Sequence, residues 1–233
     1  MTQSPKGQKR TTINPFWDEV KDILDEEPDW LKPLRAGLLS GSVRQSATYR
    51  AKFVRLYAWA VPDPASVRFV AKWLRPRAVE IGAGMGYWAW QVAQLGLDIL
   101  AYDIHPPDRM RNAYHSPGWE DWDKEDPYGP SSTQMRETYH PILEGGSEMA
   151  AQHPDRTLFL CWPPYDKPMA YDSLQAYQGK RVVYIGEGSG GCTGDGNFHT
   201  ALDESWEQVA YHSIANWRWD GIHDSIVVYG RKS

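Results

Sequence analysis

Hydrophobic and polar positions follow two regimes along this chain. Up to Arg75 the apolar residues recur at helical spacing. Asn14 followed by Pro15 reads as an N-cap and first helical position, with Phe16, Val20, Ile23 and Leu24 on one side to about Glu27. From Val43 to Trp59, the residues Tyr49, Phe53, Leu56 and Tyr57 form one stripe while Arg50, Lys52 and Arg55 sit mostly off it, which predicts a long amphipathic helix. Asp63-Pro64 repeats the cap signal, and Val67, Val70, Ala71 and Leu74 face inward until Pro76 stops the helix.

At Arg77 the period changes. Ala78 to Ile81 is a short strand that opens directly into Gly82, Gly84 and Gly86, and a helix from Tyr87 to Leu95 is closed by Gly96. A second strand, Asp98 to Tyr102, ends at Asp103, which makes one βαβ unit of parallel sheet. Downstream the pattern predicts a strand near Tyr139 to Leu143, a helix from Ser147 to Gln152, a buried strand from Thr157 to Cys161, a helix from Met169 to Tyr177 and a second buried strand from Val182 to Ile185. Trp206 to Ile214 and Ser225 to Tyr229 read as antiparallel edge strands. The expected organisation is a tail over residues 1–13, a helical cap over 14–75 packed on the core, and an α/β cofactor-binding domain over 76–233. A polar, acidic insertion around 106–138 carries Glu120, Asp121, Asp123, Glu125 and Asp126.

Composition narrows the partners. The chain has 233 residues, enough to bury a core without disulfides or metal, and its 2 cysteines exclude a disulfide scaffold. With 25 Lys+Arg against 30 Asp+Glu the net charge is -5, which argues against nucleic acid as the main partner. The first ten residues lack the apolar run of a secretory signal, and no stretch is apolar for the ~18 residues a membrane span needs, so the expectation is a cytoplasmic protein with no membrane partner. The 12 Trp and 13 Tyr outnumber the 5 Phe, which fits aromatic packing in the core or recognition of a planar ligand.

The glycine cluster is the first candidate for chemistry. Gly82 and Gly84 after a strand allow a turn tight enough for a ligand to approach the backbone, or serve an ordinary tight connection. A dinucleotide fingerprint needs glycine where Tyr87 stands, so the NAD pattern fails. Asp103, at the next strand's end, is placed to accept the hydroxyls of a ribose or to cap a turn. Glu80, inside an apolar strand, needs backbone donors or a ligand to offset its burial.

Val79-Glu80-Ile81-Gly82-Ala83-Gly84-Met85-Gly86 resembles the first motif of the class I S-adenosylmethionine-dependent methyltransferases. That resemblance implies a Rossmann-like fold with a mostly parallel sheet of about seven strands, an antiparallel edge, helices on both faces and an N-terminal helical extension. It implies S-adenosylmethionine as cofactor, with Glu80, Gly82, Gly84 and Gly86 around the methionine part and Asp103, with Ile104 beside it, at the ribose. Glu144 is the nearest candidate for the adenine side. Cys161-Trp162-Pro163-Pro164-Tyr165 is similar to the Asn/Asp/Ser-Pro-Pro-Tyr/Phe loop that some members carry after the fourth strand, with Cys161 in the leading polar position. The loop implies acceptor binding by Trp162, Pro163, Pro164 and Tyr165, whose ring offers a flat face to a planar or cationic nitrogen. A structural proline turn is the plain alternative.

A third segment, Ile185 to His199, has six glycines in fifteen residues and reads as a lid or as an irregular surface loop. Its titratable members are Glu187, Asp195 and His199. His199 is the natural proton acceptor, with Glu187 and Tyr165 as further catalytic candidates, and Asp195 either contacts substrate or caps a helix from Asn197 to Leu202. Tyr49 and Tyr57 line the acceptor side or belong to a core stripe. The other histidines, His105, His115, His140, His153, His212 and His223, are scattered, and no metal motif occurs. The expected activity is methyl transfer from S-adenosylmethionine to N or O of a small aromatic or heterocyclic molecule. A non-catalytic cofactor-binding or interaction protein, an NAD-dependent oxidoreductase, and a nucleic acid or protein N-methyltransferase stay open, as does a homodimer.

Overall fold

The computed structural model describes residues 12–25, 50, 53–112, 114–115, 137–214, 219 and 221–232. Tyr49, the first part of the helix expected from Val43 and the acidic cluster of the insertion lie outside these residues. The first helix, α1 (Pro15–Asp25), starts where the cap signal puts it, with Asn14 Oδ1 accepting from the Trp17 N–H at 3.1 Å. Residues 53–56 are helical, and α2 (Pro64–Leu74) is capped by Asp63, whose side chain accepts from the Ala65 and Ser66 amides.

Seven strands follow: β1 (Arg77–Ile81), β2 (Asp98–Asp103), β3 (Ile142–Glu144), β4 (Thr157–Cys161), β5 (Arg181–Gly186), β6 (Trp206–Ser213) and β7 (Ser225–Arg231). Between them run α3 (Tyr87–Ala93), a 3-10 helix (Ser147–Gln152), α4 (Met169–Ala176) and α5 (Gly196–Ser205). The strands form one Rossmann-like sheet in the order β3-β2-β1-β4-β5-β7-β6. The first five are parallel, while β7 is antiparallel to both β5 and β6. Of the two strands expected at an antiparallel edge, only β6 is an edge. β7 is inserted between β5 and β6, with Ile226, Val227 and Val228 buried, whereas β6 exposes Glu207, Gln208 and Val209 in succession.

Alternation along the parallel strands sorts the core into two layers. Ala78, Phe159, Val183 and Ile185 face α2 and α3. Val79, Ile81, Leu158, Leu160, Val182 and Tyr184 face the 3-10 helix, α4 and α5. Each fully buried Val, Leu, Ile or Phe side chain contributes roughly 1.5–3 kcal/mol, so these strands hold the sheet and fix the loops at its carboxyl edge. A third aromatic cluster joins Phe16, Val20, Phe53, Tyr57 and Val61 to Tyr87, and so fastens the N-terminal segments over the start of α3. No helix among the described residues is long and apolar enough to cross a membrane.

Candidate functional site

β1 and β4 lie side by side, yet the chain leaves β1 towards β2 and leaves β4 towards β5, so their exit loops part and open a crevice at the carboxyl edge. In that crevice a cavity of about 30 Å³ is lined by Tyr57, Trp59, Glu80, Gly82, Gly84 and Cys161, with His115, Tyr87 and Trp88 around them. That is room for a water-sized guest.

Glu80 faces the α2 and α3 side of the sheet and is 2% exposed. Its Oε2 has no hydrogen-bond partner. Burial, reinforced by the charge of Asp103 and opposed by the Ala89 backbone, pushes its carboxyl up to about 8. The expectation that donors or ligand would offset its burial is met on only one side.

Three glycines with positive φ shape the turn: Gly82 at 76°, Gly84 at 54° and Gly86 at 69°. A Cβ at Gly84 would collide with Nε2 of His115, and one at Gly82 with the Met169 side chain. The turn's own amides are engaged internally: Gly82 and Ala83 donate to Tyr102 O at 2.8 and 2.9 Å, and Gly86 donates to Ala83 O at 2.8 Å. Asp103, 7% exposed, accepts from Gly84 N at 2.9 Å on Oδ2, and from His105 N at 2.9 Å and Asn112 Nδ2 at 3.3 Å on Oδ1. Burial raises its carboxyl, against the His105 and Gly84 amides. A carboxylate accepts about four donors, so Asp103 has capacity left for one hydroxyl and not for a ribose pair. The bare carboxyl oxygen of Glu80 suits the cationic end of S-adenosylmethionine, and seating that end beside Gly84 requires the His115 ring to yield.

Ile104 is 58% exposed and packs near Gly146, while Glu144, in register with Asp103, points to solvent. Neither lines the cavity. Cys161 does, and burial, Glu80 and Asp224 raise its thiol well above the ordinary range, which makes it an apolar wall.

The loop after β4 differs from the arrangement its motif implies. The residue immediately before the prolines is Trp162, held at φ 53°, a conformation that a bulky side chain adopts only when its surroundings enforce it. Its indole N–H donates to Asp224 Oδ2 at 2.9 Å. Pro163 O accepts from Gly194 N at 2.9 Å and Pro164 bridges to Thr193, so this loop is stitched to the glycine-rich one after β5. Tyr165 is 60% exposed and lies outside the cavity lining.

The glycine-rich segment is a pinned surface loop, not a free lid. Thr193, fully buried, shares a hydrogen bond with Tyr184 Oη at 2.7 Å and accepts from Glu187 N at 2.7 Å. Glu187 Oε2 accepts from Cys192 N at 2.7 Å and from its thiol, and Oε1 accepts from His223 N at 2.7 Å. Burial alone would raise the Glu187 carboxyl, but these donors and the His223 charge hold it below its ordinary value. An acid so stabilised as its anion is a weak base. His199 contacts Thr193 O through Nε2 at 2.9 Å and packs on Tyr184 and Phe198, in the layer opposite Glu80. Asp195 caps α5 by accepting from Phe198 N at 3.1 Å. The three catalytic candidates, His199, Glu187 and Tyr165, are therefore not gathered at the cavity.

Tyr57 belongs both to the cavity wall and to the aromatic core, and its hydroxyl donates to Glu19. His115 was missed by sequence reasoning: it is 5% exposed, its Nδ1 lies 3.4 Å from Arg55 O, and its ring crosses Gly84. Trp59 and Asp224 were missed too. No group of three metal-ligating side chains occurs among the described residues.

No protein-family model matches the chain, and no curated protein does. Solved structures with a similar shape include magnesium protoporphyrin IX methyltransferase from Synechocystis PCC 6803, 13% identical over 96% of this chain and 100% of that one, with a TM-score of 0.45. Another is 1,6-didemethyltoxoflavin-N1-methyltransferase from Burkholderia thailandensis, 15% identical over 84% and 92%, TM-score 0.45. A third is the glycopeptide N-methyltransferase MtfA, 10% identical over 72% and 89%, TM-score 0.43. At such identities and scores these are likenesses of shape and carry no assignment.

Proposed function

We propose that this chain transfers a methyl group from S-adenosylmethionine to N or O of a small, flat acceptor. The observation that carries the reading is that Glu80, Gly82 and Gly84 line the crevice between β1 and β4, with Asp103 at the end of β2 bonded to the Gly84 amide. When bound, the cofactor supplies an electrophilic methyl on a sulfonium sulfur. Glu80 would face the cationic end, where its bare Oε2 gains a partner. Asp103 would take one ribose hydroxyl while holding Gly84 in place.

On the acceptor side, Trp59 and Cys161 line the cavity and Trp162 stacks on Trp59, an apolar surface that would exclude water and orient a flat molecule. A neutral nitrogen attacks through its own lone pair and sheds its proton after transfer, so no strong base is required beside the cavity. The absence of His199, Glu187 and Tyr165 from the cavity lining agrees with such chemistry. Cytoplasmic location and a small-molecule partner remain part of this proposal.

Isothermal titration with S-adenosylmethionine, S-adenosylhomocysteine and NAD, side by side, tests it. Micromolar binding of the first two alone is the expected result. Binding of NAD instead would move the protein to the oxidoreductases, and binding of none would end the methyl-transfer reading.

A further inference from the structure

Beside the cavity the protein seats a cation of its own on a pair of indoles. The rings of Trp59 and Trp162 stack with centroids 5.1 Å apart and planes within 18°. The Arg50 guanidinium lies 5.1 Å from the centre of the first and 4.9 Å from the centre of the second. Its Nε is buried without a hydrogen-bond partner. Burial lowers its pKa, opposed by the charges of Asp224, Cys192 and Glu187. Arginine is ordinarily fixed by forked bonds to a carboxylate. Among the described residues no carboxylate forks Arg50: it lies against the two indoles with its Nε unbonded, which leaves the group displaceable.

The surroundings select for a positive charge. Asp224, 2% exposed, is tied to Trp162 through the indole N–H, and Glu187, a stabilised anion whose charge also acts on Arg50, accepts from the amide of the adjacent His223. An anionic guest would face two carboxylates, whereas a planar cation gains both the ring faces and their charge. Trp59 also lines the cavity next to Glu80 and Cys161, so the seat adjoins the place where a methyl group would arrive.

We propose that the Trp59–Trp162 stack, backed by Asp224, binds a planar cationic group of the acceptor, an amidinium or guanidinium, and that Arg50 holds the seat until the acceptor displaces it. The role as an acceptor site rests on the methyl-transfer reading; the cation seat does not. The cationic group serves as a handle. A protonated nitrogen has no lone pair to receive methyl, so the methylated atom is a different, uncharged atom of the same molecule.

Benzamidine, its neutral isostere benzamide, and benzoate make the test, titrated by calorimetry into the full chain. Benzamidine is expected to bind at least tenfold more tightly than benzamide, and benzoate more weakly still. Arg50→Gln, which removes the resident cation, should tighten benzamidine by at least threefold, and Trp162→Leu should weaken it at least tenfold. Because Trp162 is buried, Trp59→Leu provides a second variant, and the melting temperature of each verifies folding. Equal binding of benzamidine and benzamide, no binding of benzamidine, or unchanged or weaker binding to Arg50→Gln overturns the proposal. S-adenosylhomocysteine titrated separately distinguishes the two readings: its binding without benzamidine sinks the cation seat alone, and benzamidine binding without it sinks methyl transfer alone.

Discussion

Gly84 donates its backbone N–H to Asp103 Oδ2 at 2.9 Å, which ties the turn after β1 to the end of β2. The carboxylate that sequence reasoning assigned to a ligand therefore also holds the cradle together. Asp103→Ala should lower stability by ~1–3 kcal/mol, since the Gly84, His105 and Asn112 donors lose a buried acceptor. It should weaken S-adenosylmethionine by a further ~1–3 kcal/mol through the lost charge-assisted bond. Urea denaturation and calorimetry on the same samples read the two effects separately. Unchanged affinity would remove Asp103 from the binding site.

His115 crosses Gly84 where a guest would lie. A ring that must move before binding taxes the apparent affinity by the fraction of time it stands aside. His115→Ala should therefore tighten S-adenosylhomocysteine by about threefold to tenfold. Weaker binding would instead mark the imidazole as part of the ligand's own contacts.

Glu80 should leave a signature in stability against pH. Its carboxyl is raised from 4.5 to about 8, so the folded chain keeps a proton that the unfolded chain releases. This contribution is complete below pH 4.5, declines as pH rises through the interval, and is gone above about 8. Glu80→Gln should flatten that part of the profile, and chemical denaturation at pH 6 and pH 9 measures it. An identical slope in the variant would show that Glu80 titrates normally.

His199→Ala should behave as a structural substitution. The imidazole anchors Thr193 O, so the expected loss is ~0.5–1.5 kcal/mol of stability. Cofactor affinity and the pH profile of turnover should not change. A lost acidic limb in that profile would restore His199 as a proton acceptor.

The elements that were legible in the sequence are those specified locally. Asn14, Asp63 and Asp195 cap helices where their spacing put them, and β4 and β5 are continuous apolar runs with both faces covered. Pairing order was less legible, because the place of β7 depends on which neighbours cover it and not on its own seven residues. The glycine turn and Asp103 were found because strand ends and positive-φ residues leave a sequence trace. His115 left none: a single imidazole acquires meaning only from the distant turn it lies against. Trp162 and Asp224 meet across 62 residues of sequence, beyond the reach of any spacing rule. Tyr165 misled, since a Pro-Pro-Tyr string records a turn, and the direction of its ring is set by the stitching of Pro163 and Pro164 to the neighbouring loop.

The insertion of β7 between β5 and β6 has a bearing on how the molecule comes to be folded. β6 precedes β7 in the chain but has no other strand to pair with among the described residues, and β5 exposes a bare hydrogen-bonding flank until β7 docks. A strand that follows both its neighbours in the chain thus closes the sheet's interior. Until it arrives, the row Val182-Val183-Tyr184-Ile185 is an open, apolar template for pairing with another molecule. Removing Ser225–Arg231 would strip β6 from the sheet as well, so the expected product of such a truncation is aggregate and not a smaller folded protein.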